Sequence, residues 1–213
     1  MKPENVFLSG DWGTTRFRLR LVEASTRVVL AERQSDEGIA AVHADWRRQG
    51  ADPAGRLAFY RRILAGHIRN LEQDSGLPLG GVPVVLSGMA SSSLGLAELP
   101  YLSVPFASNQ LNVSRFAEDS DFPNPLLVIS GVRTATDVMR GEETQLAGCL
   151  IEDPSANRRL FVLPGTHSKH AVVQGGRVTD FRTFMTGEVF ALLTKHSVLA
   201  ASVQPNADFG TYQ

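Results

Sequence analysis

Two short turns rich in glycine and hydroxyl side chains have the composition of phosphate-binding loops. Their residues are Asp11, Trp12, Gly13, Thr14 and Thr15 in the first turn and Gly165, Thr166, His167, Ser168 and Lys169 in the second. Glycine lets the backbone approach an anion closely, and backbone N–H groups and hydroxyls donate to phosphate oxygens. A plain hairpin turn uses the same residue types, but the recurrence of the pattern about 150 residues later favours phosphate binding.

Charged side chains in these turns extend the prediction. Asp11 is suited to hold Mg²⁺ through water, because Mg²⁺ keeps much of its hydration shell in proteins. Lys169 supplies a point charge that suits a phosphate group. The sequence contains no GxxxxGK[ST] or GxGxxG run and no HExxH motif, so a P-loop, a Rossmann dinucleotide site and a zinc protease are not predicted.

A general base is expected among three carboxylates in the middle of the chain. Glu142 and Glu143 begin a predicted helix, and Asp137 lies a few residues before them. A carboxylate that faces a substrate hydroxyl can accept its proton, although acidic residues at a helix start also have a purely structural use, worth only about 0.3–1 kcal/mol each. Arg133 and Arg140 flank this region, and together they could clamp an anionic substrate.

The elements that would position these residues are those of an α/β protein. Residues 5–10, 16–21 and 27–33 read as three antiparallel strands, and Arg18 lies on the basic face of the second. Asp52 is followed by proline, which predicts a capped helix start.

Two further apolar segments, residues 82–86 and 126–129, read as short strands that run into loops of small residues. Strands that lead into such loops are typical of an α/β sheet with its site at the strand ends.

The second turn is embedded in a possible internal repeat. Residues 160–182 read strand, Gly-Thr turn, strand, glycine hairpin, strand, which is the order found in the opening segment. We therefore predict two similar lobes, residues 1–157 and 158–213, each beginning with a β-hairpin phosphate loop. One predicted helix follows the second copy before the sequence stops, so the second lobe is expected to be incomplete.

Composition excludes several classes of function. The formal net charge of -1 carries no electrostatic footprint for nucleic acid. Cys149 is the single cysteine, which rules out an internal disulfide and favours a reducing compartment. No apolar run reaches the roughly 18 residues of a membrane span, and the N-terminus lacks the features of a secretion signal. We expect a soluble cytoplasmic protein of unassigned oligomeric state.

Five segments together carry a family resemblance. They are DWGTTRFR (11–18), YLSVP (101–105), DVMRGEETQLAG (137–148), LPGTHSKH (163–170) and DFRTFMTGE (180–188). With these motifs the chain resembles the 2-dehydro-3-deoxygalactonokinases, bacterial sugar-acid kinases of the actin/Hsp70/hexokinase superfamily.

The resemblance implies an actin-like ATPase fold of two ribonuclease-H-like lobes with the active site between them. It implies ATP and Mg²⁺ as cofactors and 6-phosphorylation of 2-dehydro-3-deoxy-D-galactonate as the reaction. The two turns become the ATP phosphate loops, and the base is expected to be Glu142 or Glu143, with Asp137 as the rival. Candidates for binding the sugar acid are Arg18, Gly88, Met89, Ser91, Arg133 and Arg140.

Two alternatives remain open at this point. A phosphohydrolase of the exopolyphosphatase type shares the fold and a Gly-Glu-Glu helix start, and it would use water in place of the sugar hydroxyl. A non-catalytic module that senses a sugar or a nucleotide would keep the fold without turnover.

Overall fold

The structure is a computed structural model that describes residues 5–152 and 157–202. The strands of these residues are β1 (Val6–Trp12), β2 (Phe17–Glu23), β3 (Val29–Ser35), β4 (Val84–Gly88), β5 (Leu102–Ser103), β6 (Phe106–Ala107), β7 (Val113–Phe116), β8 (Leu126–Ile129), β9 (Val132–Arg133), β10 (Val138–Met139), β11 (Arg159–Leu163), β12 (Ser168–Gln174) and β13 (Arg177–Phe184). The helices are α1 (Ile39–Arg48), α2 (Arg56–Ser75), α3 (Glu142–Glu152) and α4 (Thr186–His196), and 3₁₀ turns span Pro53–Gly55, Met89–Ser91 and Val198–Ser202.

A six-stranded mixed sheet, in the order β3-β2-β1-β4-β8-β7, forms the larger part of the molecule. The first three strands are antiparallel, as the alternation of apolar and charged residues predicts. β4 then runs parallel to β1, and β8 runs parallel to β4, so the carboxyl ends of these three strands lie at one edge of the sheet. The mixed α/β architecture agrees with the fold class that the sequence predicts.

The second strand–turn–strand–hairpin–strand segment also forms, as the antiparallel run β11-β12-β13, and the short strand β6 adds to its far edge. A helix follows each run, α1 in the first case and α4 in the second. The third sheet consists of the short strands β10, β9 and β5. The predicted lobe boundary at residues 157 and 158 comes directly after residues 153–156, which lie outside the described part of the chain.

The two faces of β1 have different surroundings, because successive side chains of a strand point to opposite faces. Trp12 is fully buried, stacks against Phe17 and contacts the ring of Tyr60 on α2, with a centroid separation of 5.8 Å. Asp11 therefore points to the face of the sheet away from α2, and its side chain is exposed.

The predicted helix start at Asp52 is confirmed. The Asp52 carboxylate accepts a hydrogen bond from Ala54 N–H at 3.0 Å, and a 3₁₀ turn leads directly into α2. Gly76 ends this helix in the left-handed region, with a φ of 68°. Apolar residues of α2 at helical spacing, among them Leu64, Ile68 and Leu71, pack into the core under the six-stranded sheet.

A second core lies between α3 and the four-stranded sheet, and Leu146, Leu150, Val173 and Phe181 contribute to it. α4, in contrast, buries none of its side chains within the described part of the chain. None of the helices of residues 5–152 and 157–202 is both long and apolar enough to cross a membrane.

Candidate active site

The first turn is tied to the beginning of α1. Gly13 N–H donates to Arg16 O at 2.9 Å and closes the turn, while the first two N–H groups of α1 donate to the carbonyl oxygens of Gly13 and Thr14. Gly38 permits this approach, since a Cβ at that position would lie 2.3 Å from the carbonyl carbon of Thr15. The helix start thus fixes the conformation of the turn.

The second turn is held in the same way by α4. Glu188 N–H donates to Thr166 O at 3.1 Å, and a Cβ on Gly187 would lie 2.7 Å from Gly165 O. The Glu188 carboxylate also pairs with Nε2 of His167. Ser168 is buried and braces the turn, since its hydroxyl oxygen accepts from Gly165 N–H. The repeat therefore includes a glycine at each helix start, Gly38 and Gly187, which the sequence analysis did not single out.

Asp11 lies where the end of β4 and the start of α3 converge. Gly88 adopts a φ of 79°, and a Cβ there would lie 2.8 Å from Trp12 O and 3.3 Å from the Asp11 carboxylate. A Cβ on Gly141, which has a φ of 103°, would lie 3.5 Å from the Gly88 Cα. Gly88 combines a left-handed backbone with an approach that a side chain would prevent, whereas Gly141 is favoured for its backbone conformation, since a Cβ there would make only an ordinary van der Waals contact.

Two adjoining cavities, of about 280 and 320 Å³, form a cleft at this point. They share Asp11, Arg140, Glu142 and His167. Eleven of the predicted site residues line one or both cavities: Asp11, Gly13, Thr14, Gly88, Met89, Arg140, Glu142, Gly165, Thr166, His167 and Lys169. The cleft thus brings both turns and one candidate base together.

Seven predicted residues are absent from the lining of these two cavities: Thr15, Arg18, Ser91, Arg133, Asp137, Glu143 and Ser168. Tyr101 and Gln145 line the cleft although the sequence did not single them out. Tyr101 belongs to the YLSVP motif, and this motif could have indicated it as a site residue. Gln145 follows Glu142 by three residues, and this spacing places both on one helix face.

Glu142 and Glu143 have different environments. Glu142 lines both cavities, and its Oε2 accepts from Arg140 N–H at 3.0 Å. Burial raises the pKa of Glu142, and the nearby Lys169 ammonium opposes that rise. Glu143 is fully buried, and both of its oxygens accept from Gly141 N–H, at 2.9 and 2.8 Å. Glu143 therefore faces inward at the helix start, while Glu142 faces the cleft.

Glu143 is expected to make stability depend on pH. Burial raises the pKa of its carboxyl from 4.5 to about 8, so the folded protein binds this proton more tightly than the unfolded chain does. The neutral carboxyl's contribution is fully present below about pH 4.5 and is lost as pH rises to about 8. We expect Tm to fall across this window and Glu143→Gln to flatten the fall by about 5 °C or more. Thermal unfolding at several pH values measures it, and an unchanged slope in the variant would contradict the assignment.

Arg140 connects the loop that follows β4 to the cleft. Its Nε donates to the Tyr101 hydroxyl at 3.0 Å, and Nη1 donates to the carbonyl and the hydroxyl of Ser91. The guanidinium also lies over the Tyr101 ring, 4.2 Å from its centroid. Among the described residues no acceptor contacts Nη2, which leaves these two N–H groups for a ligand.

The same loop is anchored from α2. Tyr60 is fully buried, and its hydroxyl donates to Leu94 O at 2.5 Å, while Arg56 Nε donates to Gly95 O at 2.7 Å. Burial raises the pKa of Tyr60 to about 12, which keeps it a donor. The loop that follows β4 is therefore held at both ends, by α2 and by Arg140.

The remaining cationic candidates lie beside the cleft. Arg18 is the cross-strand partner of Asp11, so both side chains share one face of the sheet, but its Nε lies 3.9 Å from Glu32. Arg133 is exposed, and its Nε donates to Ser103 Oγ at 3.4 Å. Among the described residues, neither side chain forms a hydrogen bond or ion pair with a residue that lines the cleft.

A separate cavity of about 550 Å³ lies along α2 and includes Trp46, Phe59 and Arg62 in its lining. None of the predicted site residues belongs to it. Each of the two cavities at Asp11 is smaller than this one, but the cleft that they form gathers the charged groups and the glycine turns, so it is the candidate site for the chemistry.

The residues of the cleft fit a hydrated Mg²⁺ ion. The described residues contain no cluster of three metal-ligating side chains. Mg²⁺ commonly binds through one or two carboxylates together with substrate phosphates and water. Asp11, an exposed carboxylate that lines both cavities between the two turns, supplies such a ligand.

Comparison with known proteins gives the family of the chain. The sequence model of the 2-keto-3-deoxy-galactonokinase family matches residues 11–211. The protein named "Probable 2-dehydro-3-deoxygalactonokinase DgoK1" of Rhizobium meliloti (strain 1021) is 33% identical over 207 residues, which are 95% of this chain and 61% of that protein. The 2-dehydro-3-deoxygalactonokinase of Escherichia coli (strain K12) is 32% identical over 203 residues, which are 93% and 60% of the two chains.

A crystal structure of a Sinorhizobium meliloti protein that bears the 2-dehydro-3-deoxygalactonokinase name superposes with a TM-score of 0.73 and 30% sequence identity. The superposition covers 93% of this chain and 61% of that one. The chain therefore spans about three fifths of the length of the relatives it matches. A family match over nearly the whole sequence, with relatives above 30% identity, establishes that the chain belongs to the 2-keto-3-deoxy-galactonokinase family.

Proposed function

We propose that the protein transfers the γ-phosphoryl group of ATP to the 6-hydroxyl of 2-dehydro-3-deoxy-D-galactonate. The observation that carries this proposal is the position of Glu142, which lines both cavities between the two glycine turns. We assign residues 1–157 and 158–213 to the two lobes of an actin-like fold, with the cleft between them. The names of the relatives support the substrate and the reaction.

Phosphoryl transfer requires positioning and charge neutralisation more than covalent chemistry. In this proposal the N–H groups of Thr14 and Thr166 hold phosphate oxygens from two sides, while the Gly13 and Gly165 N–H groups close their own turns. Lys169 adds positive charge at the cleft beside His167, and Glu142 accepts the proton of the sugar hydroxyl as it attacks. Mg²⁺, held through Asp11, would neutralise charge on the phosphates. The raised pKa of Glu142 suits a base that operates near neutral pH.

The carboxylate of the sugar acid is assigned to Arg140. Its Nη2 group has no acceptor among the described residues, while Nε and Nη1 hold Tyr101 and Ser91 and so fix the direction of the guanidinium. A guanidinium binds a carboxylate through a planar fork that an ammonium cannot reproduce.

Arg140→Lys is therefore expected to raise KM for the sugar acid by about 10-fold or more, since a charge-assisted hydrogen bond contributes about 1.5–3 kcal/mol. KM for ATP should change far less. Steady-state kinetics with each substrate varied in turn measures the split, and Arg133→Lys is the matched control on the neighbouring strand. An equal rise in both KM values would show that Arg140 acts on the whole cleft and not on the sugar acid.

The proposed reaction is tested by coupling ADP formation to NADH oxidation with a panel of 2-keto-3-deoxy sugar acids. Consumption of ATP that requires the galactonate-derived acid, together with phosphate on its 6-hydroxyl, is the expected result. ATP consumption that is independent of any sugar acid would instead indicate a phosphohydrolase. Binding of ATP or sugar acid without turnover would indicate a sensing module.

A further inference from the structure

Asp137 takes part in a hydrogen-bond chain that ends at Lys169 in the cleft. Asp137 lies in the turn between β9 and β10, whereas Lys169 and Thr183 are cross-strand partners on β12 and β13. The chain therefore joins the short sheet to the four-stranded sheet. Lys169 is only 7% exposed, and the cavity it lines also contains Asp11 and Glu142.

The contacts in this chain have a fixed direction. Lys169 Nζ donates to Thr183 Oγ1 at 2.6 Å, and the Thr183 hydroxyl in turn donates to Asp137 Oδ1 at 2.8 Å. Thr183 N–H donates to Asp137 Oδ2 at 2.6 Å. An ammonium has donors only, so the hydroxyl of Thr183 must pass its own hydrogen to an acceptor, and a carboxylate supplies one.

The carboxylate of Asp137 is also occupied from its own turn. Val138 N–H donates to Oδ1 at 2.7 Å, so the two oxygens already accept three hydrogen bonds from the protein. The Asp137 side chain points to β13, and Asp137 does not line either cavity of the cleft. This geometry suits a group that orients another residue better than a group that takes a proton from a substrate.

Lys169 retains one donor after its protein contacts are made. Its Nζ donates to Val138 O at 3.0 Å and to Thr183 Oγ1, and an ammonium has three N–H groups. Holding two of them fixes where the third one points. An ammonium that is this deeply buried is costly unless it is paired, and the path through Thr183 supplies a negative charge two hydrogen bonds away.

We propose that Asp137 and Thr183 are positioning residues that hold the Lys169 ammonium at the cleft with one N–H directed to a phosphate oxygen of ATP. The inference rests on the proposed function for the identity of the ligand. It gives Asp137 an indirect role in phosphate binding, through Lys169. The sequence analysis had kept Asp137 as a candidate for the general base, and this role replaces that one.

The decisive variants differ by single groups. Thr183→Val keeps the shape and β-branching of the side chain but removes the hydroxyl, and Thr183→Ser keeps the hydroxyl and is the matched control. Asp137→Asn removes the negative charge and replaces one acceptor with a donor, so one of the two contacts with Thr183 is lost. Lys169→Met removes the proposed phosphate contact itself. Circular dichroism and thermal unfolding verify that each variant folds.

ATP affinity, measured by calorimetry without the sugar acid, is the primary readout because it does not require turnover. Thr183→Val and Asp137→Asn are expected to weaken ATP binding by about 10-fold, the size of one charge-assisted hydrogen bond, and Thr183→Ser by no more than about twofold. In the Lys169→Met background, Thr183→Val should add nothing, since it acts through Lys169. Equal affinities for Thr183→Val and Thr183→Ser, or additive losses in the double variant, would overturn the proposal.

Kinetics separates positioning from base catalysis. A positioning role for Asp137 predicts that Asp137→Asn raises KM for ATP and moves the acid limb of the kcat profile to higher pH. The displaced Lys169 ammonium would no longer lower the pKa of Glu142. If Asp137→Asn abolishes turnover at every pH while leaving ATP affinity unchanged, Asp137 is the base and the inference is wrong. A wild-type protein that binds ATP but phosphorylates no sugar acid would refute the proposed function. The comparison of ATP affinities among the variants would still test the hydrogen-bond chain from Asp137 to Lys169.

Discussion

Glu142→Gln is expected to lower kcat by about 10²- to 10⁴-fold while leaving KM for ATP and for the sugar acid nearly unchanged. Glutamine keeps the size of the side chain and can still accept from Arg140 N–H through its carbonyl oxygen, so the helix start should be preserved. Only the capacity to take a proton is lost. Initial-rate kinetics over a range of pH measures the effect.

Two substitutions on the same helix make this result specific. Glu152→Gln, at the exposed end of α3, removes a carboxylate that pairs with Arg27 on the surface and should leave the rate unchanged. Glu143→Gln should alter the pH dependence of Tm with a smaller effect on kcat, because Glu143 is buried and bonded to Gly141 N–H. If Glu143→Gln abolishes turnover and Glu142→Gln does not, the assignment of the base must be exchanged.

Much of the fold was predictable because the relevant signals are local. The alternation of residues 16–21 and the capped start at Asp52 each specify one element, and both are confirmed by β2 and α2. α1 was not predicted, and the reason is that Gly38 precedes it with no side chain to cap the helix. The two-residue strands β5, β6, β9 and β10 were also missed, since they are too short to show a period and depend on distant partners.

The candidate site was predictable in composition but not in orientation. The two glycine turns and the Gly-Glu-Glu segment could be recognised from their residue types. Which of Glu142 and Glu143 faces the cleft depends on the direction in which α3 leaves β10, through Gly141 with its φ of 103°. The contact between Asp137 and Thr183 joins residues 46 positions apart in the sequence, and a single sequence contains no signal for it.

The two glycines at the helix starts supply the second large effect that we expect. Gly38→Ala and Gly187→Ala should each weaken ATP binding by about 10-fold or more and lower Tm, because the new methyl group would meet backbone atoms of the adjacent turn at 2.3 and 2.7 Å. Backbone must move in response, since no flexible side chain is available to yield. Each substitution therefore displaces one phosphate turn from the helix that holds it.

The backbone conformation of Gly38 means that Gly38→Ala tests only the steric effect of the added methyl group. Its φ of -67° is one that alanine adopts freely, so backbone strain does not contribute to the loss. Gly148→Ala is the control, because a Cβ at that helical position meets nothing within 4 Å and should stabilise the protein by about 0.5–1 kcal/mol. Calorimetric titration with ATP and thermal unfolding distinguish the three variants. Unchanged ATP affinity in both Gly38→Ala and Gly187→Ala would show that the turns do not bind phosphate. A loss of affinity in only one variant would assign phosphate binding to the corresponding turn.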